Sequence, residues 1–172
     1  MADGNGLVTV LNDPSIRITA LDIDYVNNRA YFVDAVTNRI YCVSLKGGNK
    51  IFVSMISSTT SVQTCGEVNI RVDPTLEKIY LSSIGTTVNG VPGKLKLWSL
   101  NTSGQNWTTL METVTEPGIS ISLDILQGKK LFYCLYKPSS KTSVLNCINM
   151  YGVESPLMSL SNKIENIVVG MP

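Results

Sequence analysis

The chain contains no histidine. That absence removes the commonest general base, every Ser-His-Asp or Cys-His nucleophile and every imidazole metal site from within it. Charge is also sparse. Charged residues make up 16% of the 172 positions, the formal net charge is +1, and neither a basic stripe nor an acidic tail occurs. Nucleic acid is therefore not an expected partner, because neutralising phosphates needs clustered lysine and arginine. No stretch approaches the roughly 20 apolar residues of a membrane helix, so insertion by this chain is not expected. The opening Met1–Gly6 lacks the charged region and apolar run of a secretory leader. The cysteines are Cys42, Cys65, Cys134 and Cys147, with no CxxC pair, which argues against a zinc ribbon. Alanine occurs four times, against 32 valines and isoleucines together. That balance favours pleated strands over helices.

What is present is repetition. Three segments align: Ala20–Gly48, then Asn69–Ser83 resuming at Lys94–Gly104, then Ile121–Leu135 resuming at Ser143–Gly152. Asp24, Asp73 and Asp124 read as the ends of the first strands, at spacings of 49 and 51 residues. Tyr31, Tyr80 and Phe132 read as the starts of the second strands, at spacings of 49 and 52. Leu45, Leu100 and Met150 close the third strands. In the first unit, alternation and turn formers predict strands at Ile18–Asp24, Ala30–Asp34, Arg39–Leu45 and Ile51–Met55. Four short strands per period of about fifty select a β-propeller, because a lone four-stranded sheet has two apolar faces and only radial stacking covers both.

The expected fold is thus all-β: about three four-stranded antiparallel blades at 18–56, 68–113 and 119–160. Flanking strands are expected at 6–11 and 164–169, all within one segment spanning 1–172. Open edges at its ends would favour self-association or further blades.

Ala20–Gly48 also resembles the class B, or YWTD, repeat of low-density lipoprotein receptors. The matching residues are Asp24, Asn28, Arg29, Tyr31, Asp34, Arg39, Ile40, Leu45 and Gly47. The central tetrad is Tyr31-Phe32-Val33-Asp34; the second unit has Tyr80-Leu81-Ser82-Ser83 and the third Phe132-Tyr133-Cys134-Leu135. The resemblance implies a six-bladed propeller of cell-surface receptors, of which this chain would be part. It implies an extracellular setting, neighbouring EGF-like modules, and protein binding without catalysis.

Several residues admit two readings. Asp24, Asp73 and Asp124 are expected to cap the turns that follow them, or to form a carboxylate ring near the channel. The rival function is a Ca²⁺-dependent propeller hydrolase with Asp22, Asp24, Asn69 and Asp124 as ligands; otherwise no metal or cofactor is expected. A third reading is a purely structural fragment. Cys42 and Cys147 share a repeat position matched to Leu97, which suggests small buried apolar side chains. Cys134 and Cys147 fall on neighbouring strands, either as free thiols or as a cross-strand disulfide. Asn101 and Asn106 head glycosylation sequons. Tyr25, Tyr41, Trp98, Trp107 and Tyr151 are the large amphipathic side chains, with Trp98 expected in the core and Trp107 partly exposed.

Overall fold

The computed structural model describes residues 9–56, 65–85, 93–114, 116–149, 151, 153–164 and 167–168. Among them, twelve strands form three four-stranded sheets. Blade one holds β1 (Ile18–Asp24), β2 (Arg29–Asp34), β3 (Arg39–Ser44) and β4 (Ile51–Met55). Blade two holds β5 (Cys65–Asp73), β6 (Lys78–Gly85), β7 (Lys94–Asn101) and β8 (Thr108–Val114). Blade three holds β9 (Ser120–Leu126), β10 (Lys130–Lys137), β11 (Thr142–Asn149) and β12 (Glu154–Leu160). Each sheet is an antiparallel meander in chain order. No helix among the described residues is long and apolar enough to cross a membrane.

The turns explain where strands stop. Asn28, Asn38 and Asn106 have φ of 53°, 52° and 57°. Asparagine tolerates this left-handed region because its short side chain bonds locally. Turns 25–28 and 74–77 each have four residues and end at a left-handed position, Asn28 or Glu77. The matching turn of blade three, 127–129, has three residues and places Gly128 at φ 67°.

That shorter turn corrects the sequence register. Asp24 pairs with Arg29 and Asp73 with Lys78, each at a strand end. The corresponding pair in blade three is Leu126 with Lys130, while Asp124 pairs with Phe132 two residues inside the strand. Asp124 is therefore the counterpart of Asp22 and Arg71, which pair with Tyr31 and Tyr80. Ladder pairing also matches Cys42 and Cys147 to Ser99, not to Leu97.

A further regularity appears in the outer strands. The β3–β4, β7–β8 and β11–β12 ladders slip at Ile40/Tyr41, Leu97/Trp98 and Leu145/Asn146, which are equivalent positions. A bulge adds local right-handed twist, so all three outer edges turn away from the inner strands alike.

Blades bury apolar side chains face to face. Tyr31, Val33 and Ile40 of blade one meet Ile70, Val72, Ile79 and Leu81 of blade two. Tyr80, Leu95 and Leu97 of blade two meet Ile121, Leu123, Leu131 and Tyr133 of blade three. Each such fully buried side chain contributes about 1.5–3 kcal/mol. Strand β1 lies against β5, and β5 against β9, so the first strand of each blade is innermost. On the far side of blade one, Phe32 and Tyr41 are covered by Val10, Leu11 and Ile16.

The flanking strands expected at 6–11 and 164–169 are not formed where described. Thr9–Leu11, Ile164, Ile167 and Val168 are irregular, and the rest of both segments, with Met150, lies outside the described residues. Ile164 instead donates its N–H to Ser143 Oγ at 2.9 Å.

Candidate functional site: the turn face of the three blades

The first and third turns of every blade emerge at one end, because the meander reverses direction at each hairpin. Asp24 and Asp73 build this end by capping their turns, as the local reading of the repeat predicts. Asp24 Oδ1 accepts the Asn27 N–H at 2.9 Å and Oδ2 accepts from Asn27 Nδ2 at 2.8 Å. Asp73 Oδ1 accepts the N–H groups of Thr75 and Leu76 at 2.9 and 3.1 Å. Its Oδ2 accepts the Gly128 N–H at 2.7 Å, tying turn two to turn three. Both carboxylates are buried, so they rigidify the face without presenting charge to a ligand. The Tyr25 hydroxyl donates to Gln127 Oε1 at 2.7 Å, joining blade one to blade three directly.

The side chains left exposed at this end are apolar or amphipathic. Tyr25 and Val26 are each 58% exposed and Tyr151 is 81% exposed. Beside Tyr151 lies a groove of about 160 Å³ between blades two and three, floored by Leu110, Leu131 and Ile148 and edged by Lys78, Ser99 and Asn149. Tyr80 also lines it; burial, with Asp73 nearby, pushes its hydroxyl up to about 12. The phenol therefore stays a neutral donor at ordinary pH.

The opposite end is organised by Asp34, the tetrad aspartate. Oδ1 accepts the N–H groups of Arg17 and Val36 at 3.1 and 3.0 Å, and Oδ2 accepts the Thr37 hydroxyl at 2.6 Å. Burial works against the anion, but these bonds prevail and hold its pKa below the ordinary value. Where Ser83 and Leu135 replace it, strands β6 and β10 run eight residues rather than six. Ile40 is fully buried, and the Arg39 guanidinium stacks over Phe52 at 5.7 Å. Tyr31 is buried, and no partner meets its hydroxyl with hydrogen-bond geometry among the described residues. The adjacent Arg29 interacts with it electrostatically, yet burial still raises the Tyr31 pKa.

Three of the four residues suspected as calcium ligands, Asp22, Asn69 and Asp124, are engaged across the blade junctions instead, and the fourth, Asp24, caps its own turn. Asp22 Oδ2 accepts the Val72 N–H at 2.7 Å. Burial raises the Asp22 pKa against the opposing pull of that N–H, of the Ile23 N–H and of Arg71. Arg71 Nε reaches Asp124 Oδ1 at 3.4 Å. Asn69 Nδ2 donates to the Ile121 carbonyl at 3.0 Å. A guanidinium beside Asp22 and Asp124 already supplies the positive charge there. Among the described residues, no group of three or more His, Cys, Asp or Glu converges as a metal site would.

The Cys134–Cys147 disulfide is not formed: both thiols are free and buried, as is Cys42. Register is the reason. Cys134 faces Leu145 and Cys147 faces Phe132, which sets the cysteines on a diagonal. Diagonal neighbours lie about 7–8 Å apart, whereas a disulfide needs Cβ atoms about 3.8 Å apart. Of the sequons, Asn106 is exposed, while Asn101 is half-buried and its Oδ1 accepts the Gln105 N–H at 2.6 Å and the Ser103 hydroxyl at 2.8 Å. Trp98 and Trp107 pack edge to face at 5.8 Å, both half-buried, and Trp107 Nε1 donates to Ser54 across the first junction at 3.1 Å. Tyr133 donates to Glu154, a pair that sequence reading misses because strands β10 and β12 are not neighbours.

No family model matches the sequence, and no curated protein matches it. Solved structures do. A chain in the crystal structure of a nidogen/laminin complex superposes with TM-score 0.55 at 17% identity, over 87% of this chain and 51% of that one. An exo-β-1,3-galactanase from Phanerochaete chrysosporium, solved with galactose, superposes with TM-score 0.51 at 10% identity, over 81% and 38%. The three sheets are blades of a partial β-propeller. At these identities the likeness is one of fold, and the chain spans about half or less of the structures it resembles.

Proposed function

We propose that this chain is a non-catalytic, protein-binding propeller segment of a receptor-like cell-surface protein, working in an extracellular setting. The observation that supports this most is how the repeated polar residues are used. Asp24, Asp34 and Asp73 are buried and saturated by turn N–H groups and hydroxyls, so they serve architecture, while the exposed turn face offers Tyr25, Val26 and Tyr151. Rigid aromatic side chains beside a shallow groove suit contact with another protein, because they bury large area at small entropic cost. The YWTD resemblance of Ala20–Gly48 points the same way.

The test is a binding screen. The purified chain is immobilised and offered a panel of secreted and cell-surface ectodomains. Specific retention that is lost in a Val26→Ser/Tyr151→Ser double variant supports the reading. No retention across the panel, combined with turnover of a small ester or lactone, overturns it.

A further inference from the structure

The chain makes one kind of blade junction twice and holds both halves of a third, unmade one. The rear half of a junction is centred on the inner strand of the following blade. Ile70 and Val72 of blade two are 1% and 2% exposed, and Leu123 of blade three is 1% exposed. Their counterparts in blade one are Leu21 and Ile23, which pair with Phe32 and Ala30 as Ile70 and Val72 pair with Leu81 and Ile79. Leu21 and Ile23 are 48% and 46% exposed. The segment carrying Val10, Leu11 and Ile16 covers only the middle strands of that face.

The front half of the unmade junction is on blade three. Phe132 and Leu145 stand where Tyr31 and Ile40, or Tyr80 and Leu97, are buried in the made junctions. They are only half-buried here, and Met158 and Leu160 beyond them are 49% and 39% exposed. A polar detail supports the same face. Asn69 of blade two reaches across its junction to the Ile121 carbonyl. The equivalent of Asn69 in blade three is Ser122, which pairs with Cys134 as Asn69 pairs with Ser82. Ser122 is 8% exposed and its hydroxyl has no partner among the described residues. Such a buried hydroxyl is left unsatisfied unless something arrives to bond it.

From this we infer that the front face of blade three in one copy docks on the rear face of blade one in a second copy, and the reverse, closing two chains into a ring of six blades. A heterologous contact closes when its rotations complete a turn. Six blades lie within the range of about four to eight that propellers use. Both docking surfaces belong to a junction type that this chain makes internally, and on the rear face the segment carrying Val10, Leu11 and Ile16 occupies the middle strands, so the second copy meets β1 and that segment together. In the closed ring the Ser122 hydroxyl faces the β1 bulge between Ile18 and Ala20 of the second copy, the segment that stands where Ile121 stands in the made junction.

Sedimentation velocity on the full chain tests this, with two surface variants that leave the internal junctions untouched: Leu21→Lys/Ile23→Lys and Met158→Lys/Leu160→Lys. The parent is expected to sediment at the mass of two chains at micromolar concentration. Each variant alone is expected at the mass of one chain with an unchanged far-ultraviolet circular dichroism spectrum. An equimolar mixture of the two variants retains one intact junction, so it is expected to recover the two-chain mass with at least tenfold weaker affinity than the parent. A parent that stays at one chain at all concentrations overturns the proposal. A two-chain species that survives in either variant alone, or a mixture that never associates, overturns it as well.

Discussion

Replacing Asp34 by alanine removes a buried carboxylate that organises three donors. The side chain is 2% exposed and accepts from Arg17 N, Val36 N and Thr37 Oγ1. Val36 is 65% exposed, so its freed N–H is rehydrated readily. The Arg17 N–H is less fortunate, because Arg17 also accepts from Ala35 at 2.9 Å and is held against the strand end. Hydrogen bonds to charged acceptors contribute about 1.5–3 kcal/mol each, and with one donor rehydrated the net loss comes to about 3 kcal/mol. A domain of this size loses about 2–4 °C of melting temperature per kcal/mol, so the variant is expected to melt about 6–12 °C lower. The pH dependence gives a second readout. The folded pKa of Asp34 lies below its unfolded value of 3.8, so the folded state binds fewer protons and the stabilisation is complete above that value. It disappears as pH falls through the depressed folded pKa. Urea melts of parent and variant at pH 7 and at decreasing pH below 4 should therefore converge at the acid end. A variant as stable as the parent at pH 7, or a gap that does not shrink in acid, refutes the reasoning.

Gly104 has φ +85°, and a Cβ there would overlap the Val53 carbonyl across the first junction. Gly104→Ala is expected to cost at least about 2 kcal/mol in chemical denaturation, combining left-handed strain with overpacking. Tyr80 holds its proton to about pH 12, so the stability it contributes is complete below pH 10 and is lost as pH rises from about 10 to about 12. Spectrophotometric titration of parent against Tyr80→Phe should show one late-ionising phenol missing from the variant. Cys134 and Cys147 are expected to resist iodoacetamide in the native state and to alkylate separately in denaturant without reductant. A peptide pair linked through them in mass spectrometry would contradict the register.

Much of the architecture is legible in the chain itself. The strand boundaries of blade one emerge from Asn28, Asn38 and the alternation of Leu21 and Ile23, because local turn chemistry and pleat period both act within a few residues. The identity of Asp124 does not emerge. Leu126, the true counterpart of Asp73, lies 53 residues on, and Asp124 two residues before it sits closer to the earlier interval of 49, so a search for a regular period selects the wrong residue. The junction bonds are hidden for a different reason. Alternation says that Arg71 and Asn69 face one side of β5, but not which residue some fifty positions away receives them. The recurring bulges are hidden too: their extra residues are Val53, Leu110 and Leu157 on the outer strands, and only the third is flanked by a proline, Pro156.

The bond from Tyr25 to Gln127 reaches past the intervening blade. Repeat proteins usually behave as a line of units, each sensing only the next, and they fray from their ends. A strap between first and third units breaks that rule. The strap adds a first-to-third coupling to the two apolar junctions, so heat is expected to melt the array more cooperatively than those junctions alone would allow.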